Sequence, residues 1–139
     1  MSYLLDTNVV SEAFKPRADV RVVAWLGAVA AVDLHISVLT VGEIRKGIER
    51  PGLGAAKRQR ILAWLETELA QWLGPRILPV SLDVATRWGL LLARAGRSLP
   101  TVDSLLAATA LEHDLQLVTR NVKDFGVFEN LRLVNPWDG

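Results

Sequence analysis

The chain has 139 residues, a length that fits one domain with a sizeable core, and we expect residues 1–139 to form it. It has no cysteine, which excludes disulfides, thiolate catalysis and zinc–thiolate centres. Its 16 Lys and Arg against 15 Asp and Glu give a formal net charge of +1, so the overall charge does not indicate nucleic-acid binding. Half of the residues are hydrophobic, which predicts apolar surface for a partner or a second copy. The first residues do not resemble a signal peptide and no apolar run reaches bilayer length, so we expect a cytoplasmic protein without a membrane partner.

Short β-type runs alternate with helical stretches along the chain, the pattern of a parallel sheet covered by helices on both faces. The predicted strands are Tyr3–Leu5, Leu34–Ser37, Ile77–Val80, Gln116–Thr119 and an edge strand, Leu131–Val134. The third is weakened by its proline. The predicted helices are Val20–Ala30, Val38–Ile48, Ala55–Leu73, Leu82–Ala95 and Thr101–His113. We therefore predict an α/β fold with a central parallel sheet of about four to five strands.

Two acidic residues occupy positions where a site is expected. Asp6 directly follows the first strand, and ligands bind at the carboxyl ends of strands in open α/β sheets. A turn or cap aspartate explains Asp6 equally well. Glu43 lies on a helix between the small residues Gly42 and Gly47, which leave room around it. A solvent-facing glutamate neutralised by a neighbouring base is the alternative there.

Asp103 gives the strongest physical argument for a cation. Its helical neighbours at i+3, i+4 and i+7 are Leu106, Ala107 and Ala110, so the carboxylate starts an apolar, core-facing stripe. A first-turn aspartate gains about 0.3–1 kcal/mol from the helix dipole, whereas desolvating an unpaired carboxylate costs several kcal/mol. An arginine or a metal ion is therefore expected beside Asp103.

A further polar cluster follows the fourth strand, again at a carboxyl end. It includes Thr119, Asn121 and Asp124, for which an ordinary loop is the alternative interpretation. Carboxylates that meet in one crevice must take up protons or bind cations, and a hard divalent ion with oxygen ligands is the usual solution at neutral pH. One or two Mg²⁺ or Mn²⁺ ions in such a crevice would support phosphodiester hydrolysis.

Four segments resemble the PIN-domain family in order and spacing. They are Leu4–Glu12 (LLDTNVVSE), Leu39–Gly47 (LTVGEIRKG), Thr101–Ala110 (TVDSLLAATA) and Val118–Phe125 (VTRNVKDF). The resemblance is greatest to the bacterial VapC toxins, especially the FitB-like branch, with which the chain also shares Val22–Leu26, Arg76–Pro79 and Asn135–Trp137. It therefore extends over nearly the whole chain.

The resemblance implies a Mg²⁺- or Mn²⁺-dependent endoribonuclease in which Asp6, Glu43 and Asp103 match the family's three core acids. The fourth position is open, because Asn121 stands where some relatives carry an aspartate and Asp124 is a second candidate for that catalytic and metal-binding role. Supporting hydrogen-bonding positions in the resemblance are Thr7, Asn8 and Thr119.

Family likeness also implies an antitoxin partner, and a homodimer that assembles with it into a larger complex, which binds operator DNA through the antitoxin. The sequence offers an apolar band that would suit a partner helix or simply pack on the core: Leu62, Leu65, Leu69 and Trp72. It also offers a basic run that would attract RNA or form a solvated helical face: Arg45, Lys46, Arg50, Lys57 and Arg58.

Two other functions compete with a toxin ribonuclease. A phosphotransfer domain with a strand-end aspartate needs a second aspartate two residues on, and Asn8 occupies that place. A catalytically weak PIN module that binds RNA or antitoxin for regulation is the stronger alternative, because Asn121 replaces an acid.

Overall fold

A computed structural model describes all residues, Met1–Gly139. Five strands form one parallel sheet in the order β3-β2-β1-β4-β5. The strands are β1 (Tyr3–Leu5), β2 (Leu34–Ser37), β3 (Ile77–Leu78), β4 (Gln116–Val118) and β5 (Leu133–Val134). The predicted α/β architecture is confirmed, including the edge position of β5. Strand β3 is shorter than predicted and ends before Pro79, which has no N–H to donate to a ladder.

Eight α-helices connect and cover the strands. They are α1 (Thr7–Glu12), α2 (Val20–Ala28), α3 (Val38–Ile48), α4 (Ala55–Ala63), α5 (Leu69–Trp72), α6 (Leu82–Ala95), α7 (Thr101–Glu112) and α8 (Val122–Phe125). A π-helical stretch, Trp64–Glu68, joins α4 to α5, so the predicted long helix is continuous but not uniform. The sequence did not predict α1 and α8, because six and four residues are too few to show a helical period.

The core has two parts, one on each face of the sheet. Leu5 of β1 packs in one hydrophobic cluster with residues of α1, α2 and α3, while Leu4 packs in a second with α7 and Phe125. Successive side chains of a strand point to opposite faces, so this division confirms that helices cover both sides. None of the helices is long and apolar enough to cross a membrane.

Three features bring the predicted site residues to the same edge of the sheet. Strand β1 runs into α1 through Asp6, strand β4 runs into α8 through Thr119 and Asn121, and strand β2 runs directly into α3. Ser37 caps α3, because its hydroxyl accepts a hydrogen bond from the Leu39 N–H at 3.0 Å. Parallel neighbouring strands end on one side, so these three connections adjoin one another.

Candidate active site

Asp6 is a buried carboxylate held by three hydrogen bonds. It is only 7% exposed and is the N-cap of α1, where its Oδ1 accepts from the Thr7 N–H at 2.7 Å. Its Oδ2 accepts from the Thr119 hydroxyl at 2.8 Å and from the Asn8 amide at 3.3 Å. The cap and the site interpretations of Asp6 are therefore compatible, since one oxygen caps the helix and the other faces Thr119 and Asn8.

Glu43 is linked to the same region through α1. The Thr7 hydroxyl donates to Glu43 Oε1 at 2.5 Å and lies 3.4 Å from the hydroxyl of the buried Thr40, one turn before Glu43 on α3. No base neutralises Glu43, because Arg45 pairs instead with Glu49 and Glu66. Thr7 therefore joins the first-strand aspartate, through its N–H, to the α3 glutamate, through its hydroxyl.

Asp103 lies in the first turn of α7 with its carboxylate half-buried and without an ion-pair partner. Leu106, Ala107 and Ala110 of the same helix are at most 1% exposed, so the predicted core-facing stripe is confirmed. Asp124, which is exposed, lines a cavity of about 320 Å³ together with Asp103. No arginine forms the ion pair with Asp103 that the sequence allowed, although Arg97 lines the same cavity.

The electrostatics show that the acids act on one another. Burial raises the pKa of Asp6, hydrogen bonds from Thr119 and Thr7 oppose this, and the charges of Glu43 and Asp103 raise the pKa further. Burial also raises the pKa of Asp103, with additional repulsion from the charges of Asp124 and Glu43. The charge of Glu43 therefore acts on both Asp6 and Asp103, and the charge of Asp124 acts on Asp103 as a fourth acid.

The donors at this edge are carboxylates and hydroxyls, the hard oxygen ligands of Mg²⁺ and Mn²⁺. None of Asp6, Glu43, Asp103 and Asp124 forms an ion pair with Lys, Arg or His, so their mutual repulsion is uncompensated by protein groups. No three acidic or histidine side chains lie together in a way that would hold a metal ion in this structure. The residues thus fit a divalent cation in chemistry and charge, but the structure does not bring them into a binding geometry.

Asn121 has a different position from Asp124. Its backbone N–H donates to the Thr119 hydroxyl oxygen at 3.0 Å, while its side chain is exposed and does not cap α8. The Thr119 hydroxyl thus links Asn121 to Asp6. Of the two candidates for the fourth position, Asp124 is the one whose charge acts on Asp103.

The predicted basic run divides into two groups. Arg45 and Arg58 are paired with Glu49, and Arg45 also with Glu66, at 2.8–3.7 Å. Arg50 and Lys57 line a cavity of about 260 Å³ that Glu43 also borders. Lys46 is exposed and unpaired. Arg50, Lys57 and Lys46 are therefore the members of the run that remain free to meet a phosphate.

The predicted apolar band is divided as well. Leu69 is 2% exposed and belongs to the core, and Leu62 and Leu65 are half-buried against it, so these residues pack within the protein in this structure. Trp72 lines an entirely apolar cavity of about 330 Å³ with Trp64, Phe14 and other residues of α1 and α2. Of the predicted band, only Trp72 therefore lines this cavity, beside Trp64 of the π-helical stretch.

Several residues at the site were not predicted. Thr40 lies three positions before Glu43, a spacing that could have indicated its contact with the site. Arg120 donates its backbone N–H to Asn8 Oδ1 at 3.4 Å, and its guanidinium lies 5.1 Å from the centre of the Trp137 ring. That long-range pairing of Arg120 and Trp137 has no local sequence signal.

Comparisons with known proteins agree with this geometry. The family model described as PIN domain matches residues 3–128. The chain is 36% identical to VapC ribonuclease Y4jK of Sinorhizobium fredii, over 97% of each chain, and 34% identical to toxin FitB of Neisseria gonorrhoeae, over 96% of this chain and 97% of that protein. The crystal structure of FitAcB from Neisseria gonorrhoeae superposes with a TM-score of 0.86 at 33% identity, covering 97% of this chain and 98% of that one. The chain therefore belongs to the PIN-domain family, and VapC ribonucleases and the FitB toxin are its homologues over nearly its full length.

Proposed function

We propose that the chain is the toxin of a type II toxin–antitoxin pair, a divalent-metal-dependent endoribonuclease that hydrolyses RNA phosphodiesters and is inhibited by a cognate antitoxin. The observation that carries the proposal is the group of carboxylates around Asp6, Glu43 and Asp103, which repel one another without a basic partner in a PIN-family chain. Relatives named as ribonucleases and as a toxin support the same activity. Residues 1–139 act as one domain in this proposal, in the cytoplasm.

Asp6, Glu43 and Asp103, with Asp124 as the fourth acid, are the groups that would hold one or two Mg²⁺ or Mn²⁺ ions. When bound, the metal supplies a water of lowered pKa and neutralises charge at the scissile phosphate. Thr119 and Asn8 fix the Oδ2 atom of Asp6, and Thr7 fixes Oε1 of Glu43. These hydrogen bonds hold two ligand atoms in position before substrate arrives.

The cavity beside Glu43 provides a route for the substrate. Arg50, Lys57 and Lys15 line it, and their charges attract phosphates toward an acidic site that would otherwise repel RNA. Lys15 is shared with the buried Glu12, to which it pairs at 2.9 Å. Arg50 and Lys57 are therefore the stronger candidates for phosphate contacts on this side.

We assign the antitoxin contact to the apolar cavity between α1, α2 and the tryptophans of the α4–α5 helix. All seven of its lining residues are hydrophobic, so apolar side chains of a partner helix would fill it. The homologous structures include FitAB bound to a DNA fragment and VapBC2 from Rickettsia felis bound to a DNA fragment from their promoter. By analogy, this chain forms a homodimer that joins its VapB- or FitA-like antitoxin in a complex binding operator DNA through the antitoxin.

The activity is tested with purified chain and total RNA in Mg²⁺, Mn²⁺ or EDTA, with mapping of new RNA ends. We expect metal-dependent cleavage at defined positions and a loss in Asp6→Asn and Asp103→Asn greater than the roughly 10–100-fold typical of outer-shell changes. Asp33→Asn, at the opposite end of the sheet before β2, is the matched control and should cleave as the parent does. Equal cleavage by Asp6→Asn and the parent would reject the assignment.

The same experiment separates the toxin from a catalytically weak PIN module. A non-cutting module would bind RNA or antitoxin equally well with and without metal and release no new RNA ends. Expression of the parent alone, compared with Asp6→Asn, adds a cellular measure: the toxin arrests growth only with its carboxylates intact. Harmless expression of both chains would favour the module.

A further inference from the structure

Two adjoining cavities lie on the α6–α7 side of the site, and together they are called the channel. The inner cavity contains Asp103 and Asp124, and the outer one, of about 330 Å³, extends along α6 toward Arg94 and Arg87. Both are lined by the same four residues, Arg97, Leu99, Val127 and Phe128. Two of the proposed metal ligands, Asp103 and Asp124, therefore line the inner end of this channel, while Glu43 borders a different cavity.

Four basic residues line the two cavities, Arg87, Arg94, Arg97 and Lys123, and Glu129 is the one acidic residue of the outer cavity. Arg94 and Arg97 are exposed and form no ion pair, and Lys123 contributes a further positive charge beside Asp124. Arg87 is paired with Glu112 at 2.9 Å. A row of unpaired cations leading to a cluster of repelling carboxylates fits a polyanion that reaches the site end-on.

Apolar side chains lie between these cations. Leu91 and Leu99 are half-buried, and Val127 is 48% exposed on the wall that the two cavities share. Proteins that bind single-stranded nucleic acid combine cations along the phosphates with side chains that cover the unstacked bases, most often aromatic ones. In this channel Phe128 is buried and the accessible side chains between the cations are aliphatic, so they would cover bases by apolar contact rather than by ring stacking. A duplex offers only its backbone to such a surface, because its bases are already stacked.

The backbone fixes the position of the central arginine. Helix α6 ends at Ala95 and is capped by Gly96, whose φ of 66° is in the left-handed region that glycine adopts without strain, and the extended Pro100 leads into α7. Arg97 lies in this short connection, four residues before Thr101, the first residue of the helix α7 that contains Asp103. Arg97 is thereby held where inner and outer cavities meet.

We propose that this channel binds the single-stranded RNA segment flanking the scissile phosphate, with Arg97 and Arg94 on successive phosphates. The proposal rests on the proposed ribonuclease function. It extends that function by adding a second RNA contact, separate from the basic run on α3 and α4. It makes Arg94 and Arg97 substrate-positioning residues. The substrate it requires is RNA that is unpaired on one side of the cut.

Binding is measured by fluorescence anisotropy with a labelled single-stranded RNA of ten nucleotides of mixed sequence, in an Asp6→Asn background that prevents cleavage. The test variant is Arg94→Gln with Arg97→Gln, and the control is Arg132→Gln, an exposed arginine at the amino end of β5. Each lost phosphate contact should lower the slope of log K against log salt by about 0.7. For two contacts the slope falls by about 1.4. The ratio of parent affinity to variant affinity should therefore be roughly 25-fold larger at 0.1 M salt than at 1 M salt.

A second measurement locates the RNA directly. Oligonucleotides with 4-thiouridine beside the cleaved position should crosslink to the Arg97–Pro100 segment or to Val127. An unchanged salt slope in the double variant, or no binding of single-stranded RNA by the parent, would overturn the proposal. So would equal loss in Arg132→Gln. If an acidic protein segment occupies the channel instead, the double variant binds RNA like the parent and the proposal fails.

Failure of the channel proposal can be distinguished from failure of the proposed ribonuclease function. A chain that cleaves RNA but whose binding ignores Arg94 and Arg97 keeps the ribonuclease and loses the channel. A chain whose binding needs both arginines but that cleaves nothing in any metal keeps the channel and loses the ribonuclease.

Discussion

Thr119→Val should weaken the candidate site more than its small chemical change suggests. Thr119 is fully buried, and its hydroxyl donates to Asp6 Oδ2 at 2.8 Å while accepting from the Asn121 N–H at 3.0 Å and from the Asn8 amide at 3.5 Å. Valine keeps the branched shape and removes all three interactions. The carboxylate then loses the hydrogen bond that most strongly lowers the pKa of Asp6.

The expected loss follows from the kind of bond removed. A hydrogen bond to a charged group contributes about 1.5–3 kcal/mol to the free energy of unfolding, against about 0.5–1.5 kcal/mol for a neutral one. Thr109→Val is the matched control, because Thr109 is equally buried but donates to the Leu105 carbonyl of its own helix at 2.7 Å. Metal affinity should also fall about 10–100-fold in Thr119→Val, as expected for a group that orients a ligand, and not in Thr109→Val.

Urea unfolding at neutral pH gives the stability difference, and titration calorimetry with Mn²⁺ gives the affinity. The slope of free energy against urea should match the parent, so that a changed midpoint reports stability alone. The reasoning is refuted if Thr119→Val and Thr109→Val lose the same stability and bind Mn²⁺ equally.

Three further predictions concern the same surfaces. Mn²⁺ at 100 times its dissociation constant should stabilise the chain by about 2.7 kcal/mol, seen as a higher melting temperature that EDTA reverses; no shift at saturating metal contradicts binding to the folded site. Because burial and neighbouring acids raise the pKa of Asp103, its protonated form stabilises the fold, and this contribution is lost as pH rises through the raised pKa. In EDTA, Asp103→Asn should therefore have a higher melting temperature than the parent at neutral pH. Its melting temperature should also change less with pH above the ordinary aspartate pKa of 3.8. A melting temperature that changes more steeply with pH in the variant would contradict this. Ala13 is an exposed residue on the wall of the apolar cavity, so the larger side chain of Ala13→Leu should fill part of that cavity and weaken antitoxin binding. RNA cleavage should stay at the parent level. Undiminished antitoxin binding would show that the cavity is not part of the interface.

The sheet was predictable because each strand is a short apolar run with clear limits. Leu34–Ser37 and Val38–Ile48 agree with the structure residue for residue, as does Leu82–Ala95, where serine at position 81 caps the start and Gly96 marks the end. Helix α1 was not predictable in this way. Its first residue follows the Asp6 cap directly, and Asp-Thr-Asn is equally typical of a turn.

The site was predictable only where a residue's position along a strand or helix marks it. Positions at strand ends and apolar helical neighbours single out Asp6 and Asp103, but no local pattern shows that Thr7 reaches Glu43 across 36 residues or that Arg120 lies over Trp137. The basic run illustrates the limit: its charge is visible in sequence, whereas the ion pairs that occupy Arg45 and Arg58 depend on how α3 packs against the following helix. The channel arginines Arg94 and Arg97, well separated from that run, have no distinguishing spacing at all.

The three core acids are held by different numbers of hydrogen bonds. Asp6 is fixed by three hydrogen bonds, Glu43 by one from Thr7, and Asp103 by no side-chain or backbone donor of the hydrogen-bond network. Asp103 is therefore the least restrained of the three carboxylates, and the charges of Asp124 and Glu43 repel it. A divalent cation would bring compensating charge to all three acids, and Asp103 is the ligand that the cation would have to position without help from a hydrogen bond.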